Sequence, residues 1–396
     1  MAALLAPTDY WWSFADLLFR WLHVIAAVAW IGSSFYFIAL DNHLKPPAAE
    51  ADAARGVGGE VWEIHGGGFY RIEKFKVAPH ALPEKLHWFK WEAYTTWISG
   101  FGLLVAVYLS HASSFLVDRS VADLSGWEAI AIAVGGLILA WVVYDIACRL
   151  LGGNELALAG TVLGFVVLAA WGASQLFAAK AAYIEVGAML GTIMAANVFF
   201  VIIPAHWELV RAKEAGREPD GRWNAKAKQR SVHNNYFTLP VVFAMLSNHF
   251  PLTYGSKHGW IVLVAVMALG AWVRHWFNLR HRGRNAWWIP ATAAIGLGVL
   301  FIALRPPARP SGAPPTLAAV QSIITSRCAS CHSLHPTEAG YSTAPKGIVF
   351  DSQADILRQA GPIEAVVVIT HTMPLGNLTG MTDAERDALA RWIGSR

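Results

Sequence analysis

Apolar residues fall into eight long runs, at roughly 17–40, 93–111, 127–148, 156–179, 183–205, 234–250, 259–279 and 286–304. Polar, basic and glycine- or proline-rich stretches separate them. Each run is close to the ~20 residues a helix needs to cross a ~30 Å hydrocarbon layer, so the pattern predicts eight transmembrane helices. Three of them are irregular: the third carries Asp145, the sixth Pro240 in its middle, and the seventh Arg274. Beyond the last run, residues 305–315 read as a semi-rigid, proline-rich linker. Residues 316–396 then return to helical periodicity, ending in a capping box, Thr382-Asp383-Ala384-Glu385, with Leu389, Trp392 and Ile393 on one face behind it. The expected fold class is all-α: a polytopic eight-helix bundle over 1–304, the linker, and a small C-terminal domain over 316–396.

Composition agrees with a membrane protein. The 396 residues are 55% hydrophobic and 15% charged, with 19 tryptophans, a residue favoured at bilayer interfaces. The net charge of +4 is small and its basic residues lie in loops, which argues against nucleic acid as a partner and for the lipid bilayer. The first apolar run is too long for the core of a cleavable signal and reads as a true span. With the N-terminus outside, the inner connections hold 18 Lys and Arg against 3 in the outer ones. The positive-inside rule therefore sets that orientation. Eight spans return the C-terminal domain to the same outer, periplasmic side of a bacterial inner membrane.

The clearest chemistry lies in that domain. Cys328-Ala329-Ser330-Cys331-His332 has two thiols three apart and an adjacent imidazole, the attachment pattern of a covalent haem c. Cys328 and Cys331 would form the thioethers and His332 would ligate the iron. A structural zinc site would need a second ligand pair, and the remaining cysteine, Cys148, lies in an apolar run. Met373, before Pro374, is the expected distal ligand, with Met381 as its competitor just ahead of the last helix. Residues 316–396 thus resemble a class I cytochrome c domain. The fifteen histidines include His23 inside a span, where an ionisable group is a functional candidate.

Two further stretches stand out: WEIHGGGFYRIEKF, followed by HWFKWE, and VHNNYFTLP, which carries carboxamides and an imidazole into a proline-interrupted span. Together with LHWFKWEAYTTW, SVHNNYFTLPVVFAMLSNHF and the C-terminal CASCH motif, they make the chain similar to the bacterial membrane-bound urate oxidases, or urate hydroxylases. The resemblance covers essentially the whole chain. It implies oxidation of urate to 5-hydroxyisourate in purine breakdown, with electrons passing to the fused cytochrome and onward to a soluble cytochrome c or a terminal oxidase. It carries over no catalytic residue.

Urate is a planar, weakly acidic heterocycle, so its site needs cationic or carboxamide partners, an aromatic face and a base. Arg71, Asn234 and Asn235 suit the first task, and Tyr236, Trp88 or Phe69 the second. His65 or His233 suits the third. The alternative is a membrane cytochrome subunit that oxidises quinol or another reductant and has no urate site. A transporter is a weaker third reading, since no internal repeat is visible. The inner motifs and the outer haem are separated by the bilayer, so either the urate site lies deep in the bundle or a second carrier intervenes. A haem b held by His23 and one of His111, His249 or His258 is the concrete form of that carrier.

Overall fold

The computed structural model describes residues 7–256, 258–305, 310–338, 341 and 343–396; residues 306–309 of the expected linker lie outside them. The chain is mostly helical, and every predicted run contains a helix. These are α1 (Pro7–His43), α2 (Trp91–Leu103, continued by a π-helical turn, Leu104–Leu109), α3 (Gly126–Leu151) and α4 (Glu155–Leu176). α5 (Ala179–Asn197) runs on through Val198–Ile202 and Ile203–Glu214, and α6 (Gly221–Leu246), α7 (Gly259–His281) and α8 (Trp288–Ala303) follow. Five are long and apolar enough to cross a membrane: α1, α3, α4, α5 with its continuation, and α7. Their outward faces carry exposed Trp21, Val28, Ile138, Leu150 and Leu168. An apolar surface of that extent needs a non-aqueous or protein partner.

α6 departs from expectation in two ways. It starts at Gly221, well before the apolar run, because Asp220 caps the helix by accepting from the Arg222 amide, and the polar residues that follow are good helix formers. It also continues unbroken through Pro240, so the expected broken helix is not formed. A proline removes one backbone donor. Here the Thr238 hydroxyl donates to the Asn235 carbonyl (2.6 Å), and Gly270 of α7 lets the two helices pack closely at Leu239 and Pro240.

The all-α expectation needs a correction as well. Residues 57–75 form an antiparallel hairpin of β1 (Val57–His65) and β2 (Gly68–Phe75). Gly66 and Gly67 make its two-residue turn with φ of 57° and 83°, a conformation that favours glycine. The strands alternate aromatic and charged residues, a strand period that a search for apolar runs does not register.

The C-terminal residues form their own core, with Val320 and Ile324 of α9 (Leu317–Arg327) and Leu389 and Trp392 of α10 (Asp383–Gly394) around Ile356, Ile363 and Val367. The Thr382–Glu385 capping box is present as read. This unit sits on one end of the bundle. Gly376 lies so near the Val117 carbonyl that a Cβ there would come within 2.7 Å, and Gly255 lies against the Thr370 carbonyl. Val117 and Gly255 both belong to connections between bundle helices.

Candidate functional site

The structure separates the residues expected to form one site. His65 is exposed at the hairpin tip. Arg71 is held by three carboxylates: its Nε donates to Glu60 Oε2 (2.9 Å), and its Nη2 pairs with Asp52, Glu60 and Glu73. That guanidinium is committed to the hairpin, and it holds the Asp52 and Glu60 carboxyls below the usual carboxylate range. Trp88 stacks on Trp207, with ring centroids 4.5 Å apart.

His233 and Asn234 belong to a second buried cluster. Tyr144 OH accepts from Asn197 Nδ2 (3.1 Å) and lies 2.8 Å from His233 Nδ1. Tyr144 and His233 thus share one hydrogen bond, and Nε2 of His233 lies 3.6 Å from a Glu155 oxygen. Asn234 receives Asn197 Nδ2 (2.8 Å) and donates to the Met194 carbonyl (3.0 Å). Arg230 joins Asn197 to Asp145, with 2.7 Å to the latter. Nearly every donor and acceptor there is satisfied within α3, α5 and α6.

Asn235, one residue on, faces differently. Its Oδ1 accepts from Arg274 Nε (2.7 Å) and Asn278 Nδ2 (3.2 Å), and its Nδ2 reaches Ser34 of α1. Arg274 and Asn278 then continue with Phe277 and His281 along one face of α7, at helical spacings of three, four and seven. Arg274, Phe277 and His281 of this face, with Phe35, Tyr36 and Ala39 of α1 and Leu239 of α6, line a cavity of about 380 Å³.

The electrostatics of that cavity are unbalanced. Of the two arginines buried in the bundle, Arg230 has Asp145 and Arg274 has no carboxylate among the described residues. Arg274 rests over the Phe35 ring (4.1 Å), while its Nη2, Asn278 Oδ1 and His281 Nδ1 have no hydrogen-bond partner. An unpaired buried charge costs several kcal/mol, which a bound anion would offset. His43 stands beside His281 at 5.0 Å between ring centroids. Tyr36 OH donates to Glu63 of β1 (2.7 Å), and Lys74 of β2 pairs with Asp41 of α1. The glycine-rich hairpin thus anchors the helix that lines the cavity without entering it. Tyr236 is taken up by His275, its hydroxyl 2.7 Å from Nδ1, and is not among the lining residues.

Sequence reasoning missed Arg274, Asn278, Phe277, Phe35 and His281. The available signal was a charge, a carboxamide and an imidazole at helical spacing in the seventh run, where Arg274 registers first as an irregularity.

In the C-terminal unit the amides of Cys331 and His332 both bond to the Cys328 carbonyl (3.2 and 2.9 Å), so one turn brings the three side chains together. The two cysteines form no disulfide with each other. His332 Nδ1 donates to the Ile348 carbonyl (3.0 Å), which fixes the ring and leaves Nε2 as a metal-ligating atom. Met373 is half-buried, and Arg386 grips its loop by donating to the Met373 and Val367 carbonyls (2.8 and 2.6 Å). Met381 is buried in the domain core. The donor set fits a covalent haem c. His23 Nδ1 likewise donates to a carbonyl, Thr96 (2.9 Å). His249 and His258 are exposed and His111 half-buried; among the described residues no hydrogen bond or ring contact joins any of them to His23.

Residues 9–305 match the family model described as urate oxidase N-terminal. Neither the curated proteins nor the solved structures yield a match.

Proposed function

The chain belongs to the urate oxidase N-terminal family, and from that premise we propose that it is a membrane-bound oxidoreductase that binds urate at Arg274 and passes its electrons to the C-terminal haem c. The observation that carries this reading is the buried Arg274 guanidinium without a carboxylate beside a cavity with aromatic walls. The urate anion supplies the missing charge. Phe35 and Phe277 offer flat faces. His281 accepts a proton at Nδ1, with His43 behind it toward the inner surface. These groups replace His65, Arg71 and Trp88 in the roles expected from sequence, while Asn235 acts by orienting Arg274. The overall change is urate plus water to 5-hydroxyisourate, two protons and two electrons. The haem c supplies one-electron acceptance, twice per turnover, and passes electrons to a soluble cytochrome c or a terminal oxidase.

We also propose that all eight helices, α1 to α8, span a bacterial inner membrane, with the cytochrome domain on the periplasmic face. Arg274 lies fifteen residues below the outer end of α7, about 22 Å of helix, which is a long path for an electron. A haem b between His23 and one of His111, His249 and His258 would shorten it, and the carbonyl-bonded Nδ1 of His23 leaves Nε2 for such a role. A pyridine haemochrome assay decides this point: one extractable haem in addition to the covalent one, lost in His23→Ala, supports it, and covalent haem alone in active protein removes it. The reading as a whole is tested by anaerobic addition of urate to the oxidised protein. A subunit that only relays electrons would be reduced by quinol and not by urate.

A further inference from the structure

Four acidic side chains are buried among the described residues, and three have an arginine. Asp52 and Glu60 share Arg71, and Asp145 takes Arg230. Glu185 of α5 has none. It is 1% exposed, and neither of its carboxylate oxygens has a hydrogen-bond partner. Two glycines shape its surroundings. A Cβ on Gly136 of α3 would come within 3.3 Å of Glu185 Oε1 and 2.8 Å of the Met189 methyl, and Gly187 packs against Ala244 and Met245 of α6. The bundle is closed tightly around the carboxyl at the one level where a side chain would displace it.

Its depth gives it a role. Glu185 lies six residues from the outer end of α5, about 9 Å of helix. Asn197, level with the Asn234–Asn235 pair and hence with the cavity, lies twelve residues further in, about 18 Å. An ionised carboxylate without partners is costly in such a place, so the resting group is the neutral acid and the ionised form is a transient one. One carboxyl with no other donor atoms is a poor metal ligand set, since cations such as calcium take six to eight oxygens. A proton is the ligand it can hold.

We propose that Glu185 is a proton-binding site of the bundle, and that it releases and retakes its proton as electrons pass from the Arg274 cavity to the outer haem. The inference rests on the urate reading above. Moving a negative charge outward through a low-dielectric interior is costly unless a positive charge moves with it. In the step itself the carboxyl O–H bond breaks, and the proton goes to water at the outer end. The carboxylate then takes a proton arriving from the cavity side, where urate oxidation releases two. No electron resides on Glu185.

The test uses the full chain with its haem, in detergent or nanodiscs. Infrared spectra of wild type against Glu185→Gln should contain a protonated-carboxyl C=O band that disappears in the variant and shifts promptly in D2O. Stopped-flow mixing with urate should show haem reduction slowed about 100-fold in Glu185→Gln, near the lower end for loss of a positioned proton-transfer group, with urate affinity unchanged and Glu185→Asp partly restored. The glutamine is isosteric with the resting acid; should it fail to fold, Glu185→Asp carries the infrared arm through a displaced band. A wild-type rate in Glu185→Gln, or a carboxyl band that does not exchange in D2O, overturns the proposal. If urate reduces no form of the protein, the urate reading fails, and the exchange arm still decides whether Glu185 binds an accessible proton.

Discussion

Replacing Arg274 by methionine separates what this residue does for the fold from what it does for a ligand. In the ligand-free protein the guanidinium gains up to about 2 kcal/mol from a desolvated cation–π contact and about 1.5–3 kcal/mol from a charged hydrogen bond; here those are its contacts with Phe35 and Asn235. Against these stands a burial penalty of several kcal/mol for an ion without a counter-ion. The two sides nearly cancel, so Arg274→Met should leave ligand-free stability within about 1 kcal/mol of wild type. Urate binding behaves differently. Truncating one partner of a buried charged pair costs about 2–5 kcal/mol, which at 1.4 kcal/mol per tenfold weakens binding about thirtyfold to several thousandfold. The assay is thermal unfolding in detergent with and without urate. At a hundred times Kd a ligand adds about 2.7 kcal/mol, so wild type should gain several degrees and Arg274→Met close to none at the same concentration. Arg274→Lys, which keeps the charge and loses the fork, should fall between. A methionine variant that urate stabilises as well as wild type would refute the placement of the anion at Arg274.

Met373→Ala should convert the low-spin haem c spectrum to a high-spin or water-ligated one while the haem remains covalently bound; an unchanged spectrum would transfer the distal role to Met381. The hairpin should respond to acid. Asp52 and Glu60 titrate below their ordinary values of 3.8 and 4.5 because Arg71 donates to them. A depressed folded pKa contributes stability above the unfolded value and loses it as pH falls through the folded one. Hydrogen exchange over residues 57–75 should therefore stay protected at neutral pH and rise below about pH 4. Exchange that is already fast at pH 7, or protection that persists at the lowest pH, would contradict the role given to Arg71.

The helices were legible because apolar runs of spanning length leave few other structures open to the chain, and the Thr382–Glu385 box and the CASCH turn are local patterns that local structure reproduces. The hairpin was legible only in part: its glycines mark a turn, while the alternating aromatic and charged residues on either side have a strand period that a search for apolar runs passes over. The start of α6 was hidden by polarity, which marks a helix outside the apolar layer as readily as a loop. The grouping of the chosen polar residues was harder to read. Asn235 was chosen for its chemistry and does meet a cation. That cation is Arg274, forty residues away in another helix, and not Arg71 in the conspicuous glycine motif. Pairing across helices depends on which face each one turns inward, and one sequence gives the period of a face without its partner. Asn234 and Asn235 illustrate the limit: adjacent in sequence, they point into different clusters about 100° apart around the helix.

The central claim joins a family of urate-oxidising proteins to an electron acceptor on the same chain. Its most direct test is to mix oxidised, haem-loaded protein with urate under strictly anaerobic conditions and follow the haem c absorbance, with the product formed in water labelled with heavy oxygen. Urate should reduce the haem at a rate that Arg274→Met abolishes, and the new hydroxyl of the product should carry the label. A haem that dithionite reduces and urate does not, or a product whose label comes only from added dioxygen, would contradict it.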